Sequence, residues 1–334
     1  MKALRVPILL LFLAGSVLCS SGSAQSYTAL FLGQGHHIFV AGLNNSGMSV
    51  GHSGIAHSAA LLWSSTGALT NLGTLGGKDA EALAINNLGV VVGDSSEAGQ
   101  LGGHAFLWTS TGGMQDLLGP NSPLSVATAI NDSSEVVGNY AFSNSFIHAF
   151  LWTKTGGMQD LGTLGGHSYA AGINSAGHVV GASQLPDGST QAFLWTAQDG
   201  MKQIDLGGTS GSQATAINDL DQIVGSYVNP QDNHTHAFLL DPSTGLRDLG
   251  LWRGIGSSYA FAVNNSGDVV GISLYPAKSG RTGTASVLWK NGGGVQKLGQ
   301  LVVPKLGLPR GATGINASGQ ISANGPGSYI LTPH

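Results

Sequence analysis

The stretch "HAFLWTSTGGMQDL" at residues 104–117 returns as "HAFLWTKTGGMQD" at residues 148–160, 44 residues further along the chain. Self-similarity at a period of about 20–50 residues is typical of repeat architectures, in which each repeat is one supersecondary unit that needs its neighbours to bury its faces. The fold therefore depends on the structure of one unit and on how its copies associate.

An asparagine at the end of a small, apolar run marks the repeat throughout the chain. Successive copies of this asparagine are 42, 45, 43, 44, 46 and 52 residues apart. The seven copies are Asn44, Asn86, Asn131, Asn174, Asn218, Asn264 and Asn316. The sequence therefore contains seven units.

Each unit contains four short apolar runs separated by turn residues. In the second unit they are "EALAIN", "VVVGDS", "HAFLWT" and "GMQDLL", and each is too short for an ordinary helix. Gly89 in "NNLG" suits the left-handed position of a tight hairpin, and "STGG" offers another reversal closed by glycine. Four strands every forty-odd residues predict the blade of a propeller, so we expect an all-β, seven-bladed β-propeller.

The two ends of the chain suggest how the ring of blades closes. After Asn316 the last unit offers "GQISANG" and "GSYILTPH", and it stops where its fourth strand should begin. The segment "SYTALFLGQG" precedes the first unit and supplies a spare strand. We therefore expect residues 27–33 to complete the last blade.

The units resemble the HAF repeat of secreted bacterial proteins, which combines "HAFLW", "DLGTLGG" and "IN-x-x-G-x-VVG". Matching stretches extend from about residue 29 to residue 331, and some copies depart from the pattern, as in "DLGLWRG" from Asp248 and "QKLGQLVV" from Gln296. The resemblance implies an extracellular repeat protein, and it implies no particular biochemical activity.

The first 24 residues have the pattern of a signal peptide. Lys2 and Arg5 precede an apolar run from Val6 to Leu18, and small residues lead to a predicted cleavage after Ala24. The run is too short to span a bilayer comfortably, so residues 25–334 are expected to form one secreted or periplasmic domain without a transmembrane segment. Cys19 could be lipidated, but Leu18 stands where a lipidation site needs a small residue.

Charge and cysteine content exclude several classes of function. Without Lys2 and Arg5 the chain has 11 basic and 17 acidic residues and no basic patch, which argues against nucleic acid as a partner. Cys19 is the only cysteine, so a secreted domain has neither a disulfide framework nor a thiolate metal site. We expect a monomer.

Residues that recur at one place in every unit are expected to serve the unit, whereas a site used once should break the pattern. We interpret the recurrent aspartates as acceptors for nearby backbone N–H groups, the tryptophans as core anchors and the histidines as structural. The aspartates are Asp116, Asp160, Asp205 and Asp248; the tryptophans are Trp63, Trp108, Trp152, Trp195 and Trp289; the histidines are His104, His148 and His236.

Catalytic motifs are absent from the sequence. It contains no G-x-S-x-G, no H-E-x-x-H, no phosphate-binding glycine loop, no visible pair of carboxylates for sugar hydrolysis and no sign of a cofactor. A site assembled from several blades remains open, so enzymatic activity is uncertain and a non-enzymatic role is favoured.

Sequence variation is concentrated on one predicted face of the propeller. If the strands of each blade are named A to D, the A–B and C–D turns are stereotyped, whereas the B–C loops and D–A crossovers vary and share the other face, here called the loop face. Variable loops on a rigid scaffold are where binding usually resides. The candidate ligand-binding residues on this face are Tyr140, Phe146, Tyr227, Asp232, His234, Trp252, Arg253, Tyr275, Lys278 and Arg281.

Three functions agree with the sequence. The leading hypothesis is a secreted binding or scaffold propeller that engages a polysaccharide or an extracellular protein through the loop face. The alternatives are a surface-attached structural repeat protein and a polysaccharide lyase or hydrolase with a site at the propeller axis.

Overall fold

The computed structural model describes residues 25–34, 38–54, 57–99, 102–119, 122–143, 146–277, 280–303 and 311–334. The predicted signal peptide, Cys19 and Lys278 lie outside these residues. The described residues form seven four-stranded antiparallel sheets, which confirms the predicted all-β, seven-bladed propeller. In this part of the chain, none of the helices has the length and apolar character needed to cross a membrane.

The first strand, β1 (Tyr27–Gln34), belongs to the last blade, and the other strands follow in chain order. Blade 1 has β2 (Ile38–Leu43), β3 (Ser49–Ser53), β4 (Ala59–Trp63) and β5 (Leu69–Asn71); blade 2 has β6 (Gly76–Ile85), β7 (Val91–Glu97), β8 (Gly103–Thr109) and β9 (Gly113–Asp116); blade 3 has β10 (Ser125–Ile130), β11 (Val136–Ser143), β12 (Phe146–Thr153) and β13 (Gly157–Asp160).

Blades 4 to 7 repeat this order. Blade 4 has β14 (Ser168–Ile173), β15 (Val179–Gln184), β16 (Thr190–Thr196) and β17 (Gly200–Gln203); blade 5 has β18 (Ser212–Ile217), β19 (Ile223–Val228), β20 (Thr235–Asp241) and β21 (Gly245–Asp248); blade 6 has β22 (Ser257–Val263), β23 (Val269–Pro276), β24 (Thr282–Trp289) and β25 (Val295–Lys297); blade 7 has β26 (Gly311–Ile315), β27 (Ile321–Asn324) and β28 (Gly327–Pro333). A 3₁₀ turn at Trp252–Gly254 and a short helix at Leu298–Leu301 complete the structure.

A steric contact with strand A explains why glycine recurs after the two valines of strand B. Strand A carries a register shift in each blade, as between Ala82 and Ala84 in blade 2, and this brings its backbone close to strand B. A Cβ at Gly93 would lie 1.8 Å from the carbonyl oxygen of Glu81, and five other blades show the same conflict. This close approach explains why glycine recurs in six blades, whereas blade 7 carries Ala323 at the equivalent place.

The A–B turns form as the sequence predicts. Gly89 has a φ of 77°, and the Asn86 side-chain oxygen accepts the N–H groups of Leu88 and Val90 at 3.1 and 2.9 Å. In blades 3 and 5 the left-handed position is held by Ser134 and Asp221, with φ of 60° and 57°. One asparagine per blade therefore organises the turn that joins strands A and B.

The core lies between neighbouring blades. In one cluster Val50 and Leu62 of blade 1 pack with Ala82 and Phe106 of blade 2, and the other clusters join further pairs of blades in the same way. Trp63, Trp195 and Trp289 are buried, and Trp108 and Trp152 pack against core clusters from partly buried positions. The tryptophans are core anchors, as predicted.

Strand β1 closes the ring. It pairs antiparallel with β28 from Tyr27 opposite Pro333 to Gln34 opposite Gly327, and Tyr27 is 1% exposed. Each strand A contacts the strands A of both neighbouring blades, so the first strands surround the axis. The prediction that the N-terminal segment completes the last blade is confirmed.

Candidate functional site

The seven repeat asparagines form a closed ring around the axis at the A–B turn end. Each side-chain amide donates to the backbone carbonyl of the corresponding asparagine in the next blade, over 2.9–3.2 Å, and Asn316 donates to Asn44 to complete the circle. All seven are buried. Because both ends of every amide are engaged within the fold, the ring is a structural element.

A cavity of about 220 Å³ opens at this end of the axis and is lined by the residues that follow the asparagines. Its two carboxylates are already bound: Asp132 accepts the Asn87 backbone N–H at 2.8 Å and Asp219 accepts that of Ser175 at 3.0 Å. The side-chain amide of Asn265 lowers the pKa of Asp219. Both carboxylates thus take part in contacts between neighbouring blades.

Histidine and aspartate of the repeat meet across strands C and D. His104, His148 and His236 lie 3.3, 2.9 and 2.6 Å from Asp116, Asp160 and Asp248. The other oxygen of each aspartate accepts a backbone N–H two residues further on, from Leu118, Gly162 and Gly250. The sequence interpretation of these aspartates is confirmed, and the histidines are their partners.

Two tyrosines among the predicted site residues are buried. Tyr140 and Tyr227 are each 6% exposed and meet the rings of His148 and His236 edge-on at 6.2 and 6.3 Å. Tyr227 donates its hydroxyl to Asp248 at 3.2 Å, and burial followed by the Asp248 charge raises its pKa to about 12. The two tyrosines occupy equivalent places in their blades, opposite the repeat histidine.

Asp232 and His234 lie exposed on the B–C loop of blade 5. Asp232 contacts the second ring nitrogen of His236 at 3.0 Å and accepts the His234 backbone N–H at 2.9 Å. The backbone N–H of His234 is the main cause that lowers the pKa of Asp232. Asp232 therefore contacts the histidine of the His236–Asp248 pair in its own blade.

In blade 6 the structure brings two predicted residues together, since the Arg253 guanidinium lies 5.1 Å from the centre of the Tyr275 ring. Trp252 packs into the core, and its backbone N–H donates to Ser273 at 3.1 Å, a bond that Leu75 and Leu164 also make in their blades. Arg281 is exposed in a turn of the same blade. The predicted residues therefore form separate groups in blades 3, 5 and 6.

Two adjacent cavities on the loop face form a groove that the sequence did not reveal. A cavity of about 710 Å³ is lined by Lys78, Asp79, Asp94 and Glu97, and one of about 560 Å³ by apolar and aromatic residues. Asp94 and Gly103 line both cavities. We call this surface, from Lys78 to Tyr169, the blade 2–4 groove.

Asp94 departs from the repeat at the centre of the groove. Equivalent residues in blades 3 and 7 are asparagines whose oxygens accept a backbone N–H of the next blade, Asn139 from Ala170 at 2.8 Å and Asn324 from Val40 at 2.9 Å. Asp94 has no hydrogen-bond donor among the described residues. Burial, followed by the charge of Glu81 directly opposite in strand A, raises the pKa of Asp94 to about 6.

Exposed apolar side chains surround the other end of the groove. Leu124 and Tyr169 line it with exposed fractions of 47% and 41%, and Phe146, next to the lining residue Ile147, is 45% exposed. The ring of His167 lies between Phe146 and Tyr169, at centroid distances of 5.6 and 6.2 Å. Phe146 is the one predicted residue at this surface that offers an exposed ring.

A cluster of three potential metal ligands adjoins the acidic cavity of the groove through Glu97. Glu97, His104 and Asp116 each offer one ligand atom within 4.8 Å of the others. It is the one group in the described part of the chain with three such ligands in reach of a single metal ion.

Comparison of the repeats distinguishes Asp94. Aligned on the glycine of strand B, or on Ala323 in blade 7, the seven equivalent residues are His52, Asp94, Asn139, Ala182, Ser226, Ile272 and Asn324. Asp94 is the only carboxylate of this set, so comparison of the repeats singles it out. The closeness of Tyr169 and Leu124 to Asp94 carries no such signal, since it depends on how blades 2, 3 and 4 pack.

No protein family model and no curated protein matches the sequence. Among solved structures, an acylaminoacyl peptidase from Pyrococcus horikoshii is 10% identical, with a TM-score of 0.51, over 78% of this chain and 45% of its own. TolB from Acinetobacter baumannii is 13% identical, with a TM-score of 0.48, over 83% and 60%. A gluconolactonase from Xanthomonas campestris is 11% identical, with a TM-score of 0.45, over 92% and 90%.

The chain thus spans 60% of the TolB structure and under half of the peptidase. At these identities the likeness bears on the fold alone. The HAF-repeat family and the secreted location stay predictions. The chain is a seven-bladed β-propeller that resembles the propellers of TolB, gluconolactonase and peptidases.

Proposed function

We propose that this protein is a secreted binding propeller that holds a polysaccharide in the blade 2–4 groove. The observation that carries the proposal is the groove itself, in which the unpaired carboxylate of Asp94 lies between an acidic cavity and a surface of exposed apolar and aromatic side chains. Concave sites that combine apolar walls with a few polar groups are typical of ligand binding.

The chemistry of the groove suits a sugar chain. Aromatic rings such as Tyr169 and Phe146 offer flat apolar faces on which the C–H faces of a sugar ring can pack. A carboxylate is a strong acceptor for sugar hydroxyl groups, and Asp94 has this capacity free. Asp94 lies at the centre of the groove and the aromatic rings lie at one end, so one ligand could contact both kinds of group.

The charge of the groove restricts its ligand. Three carboxylates, Asp79, Asp94 and Glu97, line the acidic cavity together with one cation, Lys78. A phosphate or sulfate ester would be repelled here at neutral pH. We therefore propose neutral or amino-bearing glycans as the substrate class.

The test is a binding assay of the purified protein against a panel of neutral, amino-bearing and acidic polysaccharides. Tyr169→Ala and Asp94→Asn should each weaken binding of the preferred glycan by about tenfold. The first removes a ring contact and the second replaces a charged acceptor by a neutral one, and each change is of the order of 1–1.5 kcal/mol. Phe31→Ala is the matched control, since Phe31 is an equally exposed ring (47%) on β1 in blade 7.

Binding that is retained in both groove variants would contradict the proposed site. If no glycan binds, the carbohydrate proposal fails, and the loop face would be tested next for extracellular protein partners.

A second candidate function rests on Asp94 and Glu81. Glycoside hydrolases need one carboxylic acid that stays protonated and one ionised carboxylate. Asp94, with a pKa of about 6, and Glu81, directly opposite in strand A, could supply the two. Release of reducing ends from the bound polysaccharide, lost in both Asp94→Asn and Glu81→Gln, would support hydrolysis. Binding without any release would leave the protein a binding module.

A further inference from the structure

Blade 2 differs from two other blades in how its repeat histidine is surrounded. In blade 3, His148 lies 2.9 Å from Asp160 through Nδ1. In blade 5, the two ring nitrogens of His236 face different carboxylates, Asp248 at 2.6 Å and Asp232 at 3.0 Å. Each of these contacts has the length of an ordinary hydrogen bond.

In blade 2 oxygens of three different residues converge on one nitrogen, whereas both oxygens near His148 belong to Asp160. The Nδ1 atom of His104 lies 3.3 Å from Asp116 Oδ2, 3.2 Å from Ser122 Oγ and 3.9 Å from Glu97 Oε1. One ring nitrogen can donate a single hydrogen bond, so a proton on Nδ1 can pair with only one of the two carboxylates. Two of the oxygens belong to carboxylates, and His104 is only 2% exposed.

These separations are close to those around a small metal ion. Zinc binds histidine nitrogen and carboxylate oxygen at about 2.0–2.2 Å, which places neighbouring tetrahedral ligand atoms roughly 3.3–3.5 Å apart. The His104–Asp116 distance already has this value. A small rotation of Glu97, whose side chain is 21% exposed, would bring the third ligand into place.

The surroundings favour a cation. Glu97 also lines the acidic cavity, whose other charged residues are Asp79, Asp94 and Lys78, so this cavity gives an ion a route from solvent to the cluster. The hydrogen bond from the Leu118 N–H holds the other oxygen of Asp116 in place. Such outer contacts orient the ligands of metal sites.

We propose that Glu97, His104 and Asp116 form a binding site for one first-row transition-metal dication such as Zn²⁺. The mixed nitrogen and oxygen set suits zinc, whereas calcium prefers six to eight oxygen ligands. Three protein ligands leave a fourth position for water or another group. The site adjoins the blade 2–4 groove, but it does not depend on glycan binding.

The experiment is calorimetric titration of the full chain, first stripped of metal with a chelator, with ZnCl₂, together with measurement of bound zinc by mass spectrometry. We expect one zinc ion per chain. Glu97→Gln and His104→Gln should each weaken zinc binding by at least tenfold, and CaCl₂ should not compete.

The repeats supply the controls. His104→Gln introduces the residue that blade 4 carries at the equivalent place, Gln191, so the blade can accommodate it. His148→Gln makes the same change in blade 3, where the described residues offer no second carboxylate to complete a three-ligand group, and it should leave zinc binding as in the parent. Circular dichroism of each variant checks the fold.

The proposal would be overturned if no zinc remained bound in stoichiometric amount, if both Glu97→Gln and His104→Gln bound zinc as the parent does, or if calcium displaced it. Equal losses in His148→Gln would point instead to a general effect of removing a repeat histidine.

Discussion

At the scale of single residues, Asp94 differs from the residues at the equivalent place in other blades, which stabilise the fold. In blades 3 and 7 an asparagine at the same place bonds to the next blade, whereas Asp94 makes no such bond and faces Glu81. A half-buried carboxylate without a donor costs stability. Its presence at the centre of a groove is consistent with a role in binding.

Replacing Asp94 by asparagine should stabilise the protein at neutral pH. The folded pKa of about 6 lies above the usual value of 3.8, so the contribution of Asp94 to stability is fully present below about pH 4 and is lost as the pH rises through 6. Asp94→Asn should therefore raise the free energy of unfolding by about 3 kcal/mol at pH 7.5 and change it little at pH 3.5.

Urea denaturation at the two pH values measures this difference. Asp205→Asn, which removes one exposed carboxylate outside the groove, is the control for the change in net charge. The charged residues nearest Asp94, namely Glu81, Lys78, Asp79 and Glu97, remain in both variants. Equal stability of Asp94→Asn and the parent at pH 7.5 would show that the charge of Asp94 does not destabilise the folded protein.

At the scale of the strands, β1 determines whether the ring is closed. Without it, blade 7 would have the three strands β26, β27 and β28, and the edge of β28 would expose its unpaired backbone groups. The strand also buries Tyr27 and Leu32. The carbonyl of Tyr27 accepts the N–H of Val303, and that of Ser26, just before the strand, accepts the N–H of His334. Contacts from distant parts of the sequence thus depend on one strand.

Deleting residues 25–34 should abolish the single cooperative unfolding transition, because blades 1 and 7 lose the strand that joins the two ends of the ring. Differential scanning calorimetry measures the change. Phe31→Ala, which alters an exposed ring within the same strand, should keep the transition within a few degrees of the parent. A deletion variant that melts as the parent does would refute closure by β1.

At the scale of the whole molecule, the asparagine ring connects all seven blades through one type of contact. Each asparagine holds its own A–B turn through its oxygen and reaches the next blade through its nitrogen. The ring therefore couples local turn geometry to the closure of the propeller, at the end of the axis opposite to the groove.

Asn218→Ala should destabilise the protein by about 3 kcal/mol, because it removes the partner of the buried Asn264 carbonyl and of the part-buried N–H groups of Leu220 and Gln222. Asn71→Ala, which removes one exposed contact to Gly73, should cost under about 1 kcal/mol. Chemical denaturation of both variants makes the comparison. Equal effects would mean that the buried ring contributes nothing beyond a surface turn.

Much of the fold could be predicted from the sequence because each blade obeys local rules. The repeat spacing gave seven units, the alternation of short apolar runs with turns gave four strands, and the incomplete last unit gave the role of residues 27–33. The site could not be predicted in the same way. Tyr140 and Tyr227 stand in variable segments but are buried against repeat histidines, a fact that depends on cross-strand pairing.

The sequence by itself determined the number of blades, their strand order, the residues that serve every unit and the closure of the ring, because these follow from periodicity and turn chemistry along the chain. Only the tertiary structure decided which one-off residues meet. Asp94, Leu124 and Tyr169 come from successive blades and meet in the groove. Glu97, His104 and Asp116 come from three different strands of blade 2 and meet in one cluster. Their convergence depends on the packing of blades and strands, which no local pattern records.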